Sequence, residues 1–286
     1  MTAQLLIYEK VVPLSLGRHH DCSVELVGNY GFSSKINSVP LMAVEFPEAA
    51  PDYAIVFAGT QDNIMPAVIL GMREKENLYL STDAKWQAKY IPAFVRRYPF
   101  VFSLSPDGKR FVLCVDEEFS GFNREGRGRL LFGEDKKPSM YVENILKFLQ
   151  EYQTQFRRTQ EFCRKIKELD LLEPMQAQAE LASGERLSLG GFMAVNRAKL
   201  KAVPGDKLAA LAKTDELELL YLHLQSMRNF TGMPERLAGK ASKRNGEADE
   251  VGDSAEESAA GSSEGDGEEK PSGNKMKAMA RRLGLS

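Results

Sequence analysis

The chain has 286 residues, an apolar share of 43%, and 38 basic against 40 acidic side chains, for a formal charge of −2. That length allows one large domain or two small ones, and the near-neutral balance gives no case for nucleic acid as the main partner. Cys22, Cys114 and Cys163 are far apart and form no CxxC pair, which fits a reducing compartment and buried thiols.

No apolar run approaches the length of a membrane span, so the chain is expected not to be membrane-spanning. The first twenty residues lack the charged region, apolar core and small-residue cleavage site of a signal peptide, and cytoplasmic residence is the expectation.

Leu5–Tyr8 and Val11–Val12 predict a first strand, and Ser23–Val27 a second, after a turn around Gly17. Gly28-Asn29-Tyr30-Gly31 is turn chemistry. Asn37–Phe46 reads as extended, with Glu45 set among apolar neighbours where a lone charge needs a partner. The apolar runs Tyr53–Ala58, Met65–Met72 and Leu78–Ser81 are short, branched or aromatic, and bounded by turn formers, so each is expected as a strand.

The stretch Trp86–Leu104, WQAKYIPAFVRRYPFVFSL, holds the only tryptophan, two prolines and an arginine pair. Trp86, Tyr90, Phe94 and Tyr98 recur every fourth residue, which predicts one helical face broken at Pro92 into two pieces and stopped by Pro99. Such rings are core residues first. The functional expectation is an aromatic floor, with Trp86 and Tyr90, beside Arg96 and Arg97, able to hold a small anionic or sugar ligand. Consecutive helical residues point about 100° apart, so one arginine is expected to serve the helix end or an acid and the other a cleft; Asp116 is the expected acidic partner.

Phe100–Leu104 and Arg110–Asp116 flank Ser105-Pro106-Asp107-Gly108 and predict an antiparallel hairpin. The glycine- and arginine-rich Phe119–Gly133 segment lacks any phosphate-loop fingerprint and reads as a solvated loop. Tyr141, Ile145, Phe148, Leu149, Tyr152 and Phe156 then set a helical period that Phe162, Ile166 and Leu169 extend until Pro174. Met175–Ala182 and Arg186–Val195 suggest another hairpin, and Asp206 and Thr214 are expected N-caps of later helices. Leu217, Leu220, Tyr221 and Leu224 form a helical stripe and Leu219 and Leu222 make the far side apolar too, which predicts a helix buried on more than one face.

The expected organisation is a globular part at 1–237, an acidic disordered linker at 238–275 and a short basic end at 276–286. The expected fold class is α+β: an antiparallel sheet of short strands in the first half with packed helices, then a mostly helical last third. A jelly-roll core is the alternative.

The segments VPLSLGRHHD, NSVPLMAVEFP, DYAIVFAG, PAVILGMREKENLYL, Trp86 with YIPAFVRRYPF, LCVDEE, and LGGFMAVN followed by LLYLHLQSM resemble the SapC family of bacterial proteins, over roughly residues 8–230. The resemblance implies a connection to surface-layer or outer-membrane transport systems, and a protein partner there. It brings no catalytic set.

Among enzyme chemistries, His19 and Asp21 have the HxD spacing of a facial iron triad, with His223 as the one histidine left for a third ligand and Arg228 for a 2-oxoglutarate carboxylate. A helical His223 fits a jelly-roll oxygenase poorly. No GxSxG elbow and no paired zinc ligands occur. The favoured function is therefore a non-enzymatic accessory or binding protein without a cofactor, and the opposing one a metal-dependent oxygenase.

Overall fold

A computed structural model describes residues 6–26, 28–60, 63–105, 108–181 and 184–239. The strands are β1 Val11–Pro13, β2 Ser23–Val24, β3 Ser38–Pro40, β4 Ile55–Thr60, β5 Asn63–Ile69, β6 Phe100–Leu104, β7 Phe111–Asp116, β8 Phe122–Asn123, β9 Arg129–Leu130, β10 Leu172–Glu180 and β11 Arg186–Val195. The helices are α1 Leu16–His19, α2 Phe46–Ala49, α3 Ala93–Arg96, α4 Met140–Glu168, α5 Arg197–Lys201, α6 Gly205–Lys213 and α7 Glu216–Ser226. Residues 233–239 are also helical. The expected acidic stretch lies outside the described residues from 240 onward, as does the basic end. So do Leu5, Val27 and the turn residues Pro106, Asp107, Ala182 and Ser183.

The fold is α+β. Its largest sheet is antiparallel in the order β10-β11-β4-β5-β3, and two three-stranded sheets run β1-β7-β6 and β8-β2-β9. Neighbouring strands come mainly from hairpins, β4–β5, β6–β7 and β10–β11. That local pairing replaces the long Greek-key returns of the jelly-roll alternative. β4 is wholly apolar through Ala58 because it is a central strand with both faces covered.

The helical period read from Tyr141 to Leu169 is α4, 29 residues long. Ser139 caps it, its hydroxyl accepting from the Val142 N–H, and Lys165 and Lys167 sit in the last turn beside the negative end of the dipole. It stops before Pro174, at Asp170, whose positive φ of 51° no helix continues; Pro174 falls in β10. Val142 and Leu149 of α4 are buried in a small core with Val24, Phe100 and Val115. Tyr152, Phe162 and Ile166 are buried in the large core with β4, β5 and α7. Among the described residues no helix is long and apolar enough to cross a membrane.

Several local expectations were replaced. Residues 86–91 are not helical: Trp86 bridges to Leu80, the Gln87 N–H donates to the Tyr79 carbonyl at 2.8 Å, and the Lys89 N–H to Asp52 Oδ2 at 2.9 Å. Tertiary partners took the amides that a helix would have used, and Pro92 had already removed one donor. Leu78–Ser81 supplies only that bridge, and Phe46 opens α2 instead of ending a strand. The Gly/Arg loop contributes β8 and β9, which clasp β2 from both sides. Gly128, at φ 85°, is needed there because any Cβ would come within 2.6 Å of the Glu25 Cα. α6 starts after Pro204 and α7 after Asp215, so neither Asp206 nor Thr214 is an N-cap. All five leucines of α7 pack on the large core, but Tyr221, expected in the same stripe, is 47% exposed, turned to the side that also carries the exposed Glu218 and Gln225.

Candidate functional site

The central stretch lies at the seam of the two cores. Ala93, Phe94 and Val95 belong to the large core and Phe100 to the small one, while Tyr98 packs on both. The Tyr98–Pro99 peptide is cis. Pro92 precedes α3, and the Ala93 N–H that opens the helix donates to Glu45 Oε1 at 2.7 Å. Glu45 also accepts the Met42 N–H at 2.8 Å and the Tyr90 hydroxyl at 2.7 Å. These are the partners a buried carboxyl there required; burial still pushes its pKa up.

That network aims Arg96. Its Nε donates to the Ile91 carbonyl at 2.9 Å and its Nη2 to the Tyr90 hydroxyl at 3.2 Å. The guanidinium lies 5.6 Å from the Tyr90 ring centroid and 5.5 Å from that of Phe148, a cation held between two aromatic faces. It borders a cleft of about 190 Å³ whose described lining includes Leu26, Tyr30, Phe32, Tyr98 and Phe119. Phe32 stacks on Tyr98 at 4.0 Å and Phe119 meets Tyr98 edge-on at 5.3 Å. Leu26, 65% exposed, leaves an apolar lip in solvent. Burial raises the Tyr98 phenol pKa, so that hydroxyl is neutral at physiological pH.

Trp86 stands behind this lining. Its ring meets Tyr30 edge-on at 5.7 Å and its Nε1 donates to the Tyr53 hydroxyl at 2.6 Å. The Tyr53 hydroxyl donates in turn to the Tyr90 carbonyl. Trp86, Tyr90 and Arg96 thus come together, Arg96 at the cleft and the other two as its support.

Arg97 and Asp116 do not join them. Arg97 is 2% exposed, its guanidinium 4.2 Å from the Phe94 centroid and 5.0 Å from that of Tyr152. Asp116 accepts the backbone N–H groups of Glu9, Lys10 and Glu118 at 2.8, 2.9 and 3.1 Å, with the Tyr98 hydroxyl at 3.3 Å. The expected ion pair with Arg96 or Arg97 is replaced by this backbone clasp. Both residues are structural parts of the seam.

The residues considered as iron ligands are each committed elsewhere. Nε2 of His223 accepts the Val195 N–H at 3.0 Å while Nδ1–H donates to the Ile55 carbonyl at 2.9 Å, beside the Phe57 ring. Nδ1 of His19 accepts the Ser15 N–H at 3.1 Å and Nε2 faces Glu117 at 3.2 Å. Asp21 pairs with Arg124, which lowers its pKa. The two histidines have no ring nitrogen left for a metal, and among the described residues no group of three His, Cys, Asp or Glu side chains converges.

At about 190 Å³ the cleft is smaller than the ~300–1,000 Å³ of sites for drug-sized ligands. It holds one ring or one large side chain, with a neighbouring anionic group for Arg96. Tyr30, Phe32 and Phe119, which the sequence reading did not single out, line the cleft although they lie far from Arg96 in sequence; their one local sign is aromatic placement next to glycine and serine, in GNYGF and EFSGF.

A family model described as SapC matches residues 14–233, a range that contains the cleft lining. No curated protein and no solved structure matches the chain.

Proposed function

We propose that this chain, which belongs to the SapC family, is a non-enzymatic accessory or binding protein serving surface-layer or outer-membrane transport systems from the cytoplasm. Its recognition point is the cleft beside Arg96. The observation that carries the reading is the fixed guanidinium at the rim of an aromatic cleft. Stacked rings take the flat face of a sugar or an apolar side chain, and the cation takes a carboxylate next to it. The partner group is accordingly a small anionic or sugar moiety, either free or presented on a protein of the transport system.

Trp86 is the sole tryptophan and touches Tyr30 of the lining, so its emission reports on the cleft. Titrating the full chain with a panel of uronic acids, neutral monosaccharides and aromatic carboxylates should give a saturable change that Arg96→Ala weakens about tenfold or more, the scale of a lost charge-assisted hydrogen bond. In cells, a photo-crosslinker placed at Phe119 should capture an envelope or surface-layer protein in the wild type and not with Arg96→Glu. If emission stays flat across the panel and the crosslinker captures nothing that depends on Arg96, the reading is wrong.

A further inference from the structure

We propose that the chain carries a second binding site, for a small oxyanion, where Arg228 and Arg236 face the Pro51–Asp52 turn across a cleft of about 310 Å³. This site is separate from the cleft beside Arg96 and does not depend on it.

Three observations carry the proposal. The first is that the two cations lack acidic partners: among the described residues neither guanidinium forms an ion pair or a side-chain hydrogen bond. Several exposed arginines of the fold are paired instead: Arg18 with Glu117, Arg73 with Glu185, Arg124 with Asp21 and Arg164 with Glu161 and Glu168. Arg110, Arg129, Arg157, Arg158 and Arg197 are exposed without such a pair among the described residues, so the missing partner counts here only because two cations share one cleft.

The second observation is that the cleft walls are fixed. The Asn229 amide donates to the Ala50 carbonyl at 2.8 Å and the Tyr53 carbonyl at 2.7 Å, tying the residue after Arg228 to the opposite wall. The Tyr79 hydroxyl donates to the Asp52 carbonyl at 2.8 Å. The Arg236 guanidinium lies 4.4 Å from the Tyr79 ring centroid, so stacking holds its orientation without consuming its edge donors. A planar fork held by its face and free along its edge is the arrangement that receives carboxylate or phosphate oxygens.

The third observation is the one opposing charge in the described lining. Asp52 also lines the cleft, and its Oδ2 accepts the Lys89 N–H at 2.9 Å. Two guanidiniums against one carboxylate leave a net positive cleft with a built-in limit on how much negative charge it tolerates. The ligand class is a small carboxylate or phosphate, most favoured when a hydroxyl or ammonium group beside the anionic centre faces Asp52.

The test is calorimetric titration of the full chain with inorganic phosphate and, separately, with malonate, at constant ionic strength made up with chloride. Saturable one-to-one binding is expected with at least one of the two, and the arm that binds tells a phosphate ligand from a carboxylate one. Arg228→Ala should weaken binding about tenfold or more without changing the melting temperature of the unliganded chain, since Arg228 is exposed. Asp52→Asn keeps an acceptor for the Lys89 N–H and should tighten binding severalfold by removing the like charge. The proposal is overturned if neither anion binds above the chloride background, or if binding is indifferent to both Arg228→Ala and Asp52→Asn.

Discussion

Replacing His223 by glutamine isolates the energetics of a histidine that folding forces to stay neutral. In the native chain His223 is fully buried in the large core, its two ring nitrogens spent on the Val195 N–H and the Ile55 carbonyl. A second ring proton would point at an N–H donor, and burial lowers the pKa from the usual 6.5 to about 4. The folded pKa lies below the unfolded one, so the unfolded chain takes up the proton first. Stability is therefore full above pH 6.5 and is lost as pH falls from 6.5 toward 4. At about 1.4 kcal/mol per pH unit, the loss over that span is ~3 kcal/mol.

Glutamine offers one acceptor and one donor to the same backbone groups and does not titrate. Urea unfolding followed by circular dichroism at several pH values between about 7 and 4.5 gives each free energy. The difference between wild type and His223→Gln should shrink by ~2–3 kcal/mol over that interval, whatever its value at neutral pH. Carboxylates held low by cations interfere little: Glu117, kept at about 2 chiefly by its hydrogen bond to Arg18, releases stability only below its usual 4.5. Glu45, raised by burial, contributes the opposite slope just above 4.5, but equally in both proteins. Parallel pH profiles for the two proteins would refute the buried neutral histidine.

Glu45→Ala strands three donors, the Met42 and Ala93 N–H groups and the Tyr90 hydroxyl, and should cost roughly 3–5 kcal/mol in denaturant titration. Glu45→Gln should cost less, because only part of the acceptor set is lost. Gly128→Ala should lower stability by roughly 1–3 kcal/mol or more through its positive φ and the crowding against β2, read as a fall in melting temperature. Tyr98→Phe loses only a long hydroxyl contact to Asp116 and should change stability by less than about 1 kcal/mol. That variant should keep the stack with Phe32, so the tryptophan-detected titration of the cleft should be unaltered.

What could be read from the chain beforehand follows the range of the interactions responsible. The helix at Met140–Glu168 and the hairpins β6–β7 and β10–β11 were visible because their signals, an apolar period and flanking turn residues, are local. Trp86–Ile91 was misread as helix because its amides are satisfied by Tyr79 and Asp52, partners that periodicity does not see. The same reason divides the site. Arg96, Tyr90 and Trp86 lie within one stretch of sequence, whereas Tyr30, Phe32 and Phe119 reach the cleft region from separate loops. Arg97 and Asp116 looked like a pair because both charges needed company. Asp116 found it in backbone N–H groups and the Tyr98 hydroxyl, and Arg97 lies between the rings of Phe94 and Tyr152.

The long helix α4 gives the two cores a common fate. With 29 residues at 1.5 Å each it runs for roughly 44 Å, and its first half is packed into one core and its second half into the other. Phe148, near its middle, also touches the Arg96 guanidinium at the cleft. Melting either core strips half of the helix of its packing, and a helix of that length keeps little stability once its apolar face is bare. The chain should therefore unfold as one cooperative unit, with hydrogen exchange equally slow at both ends of α4 and slowed at both when the cleft is filled.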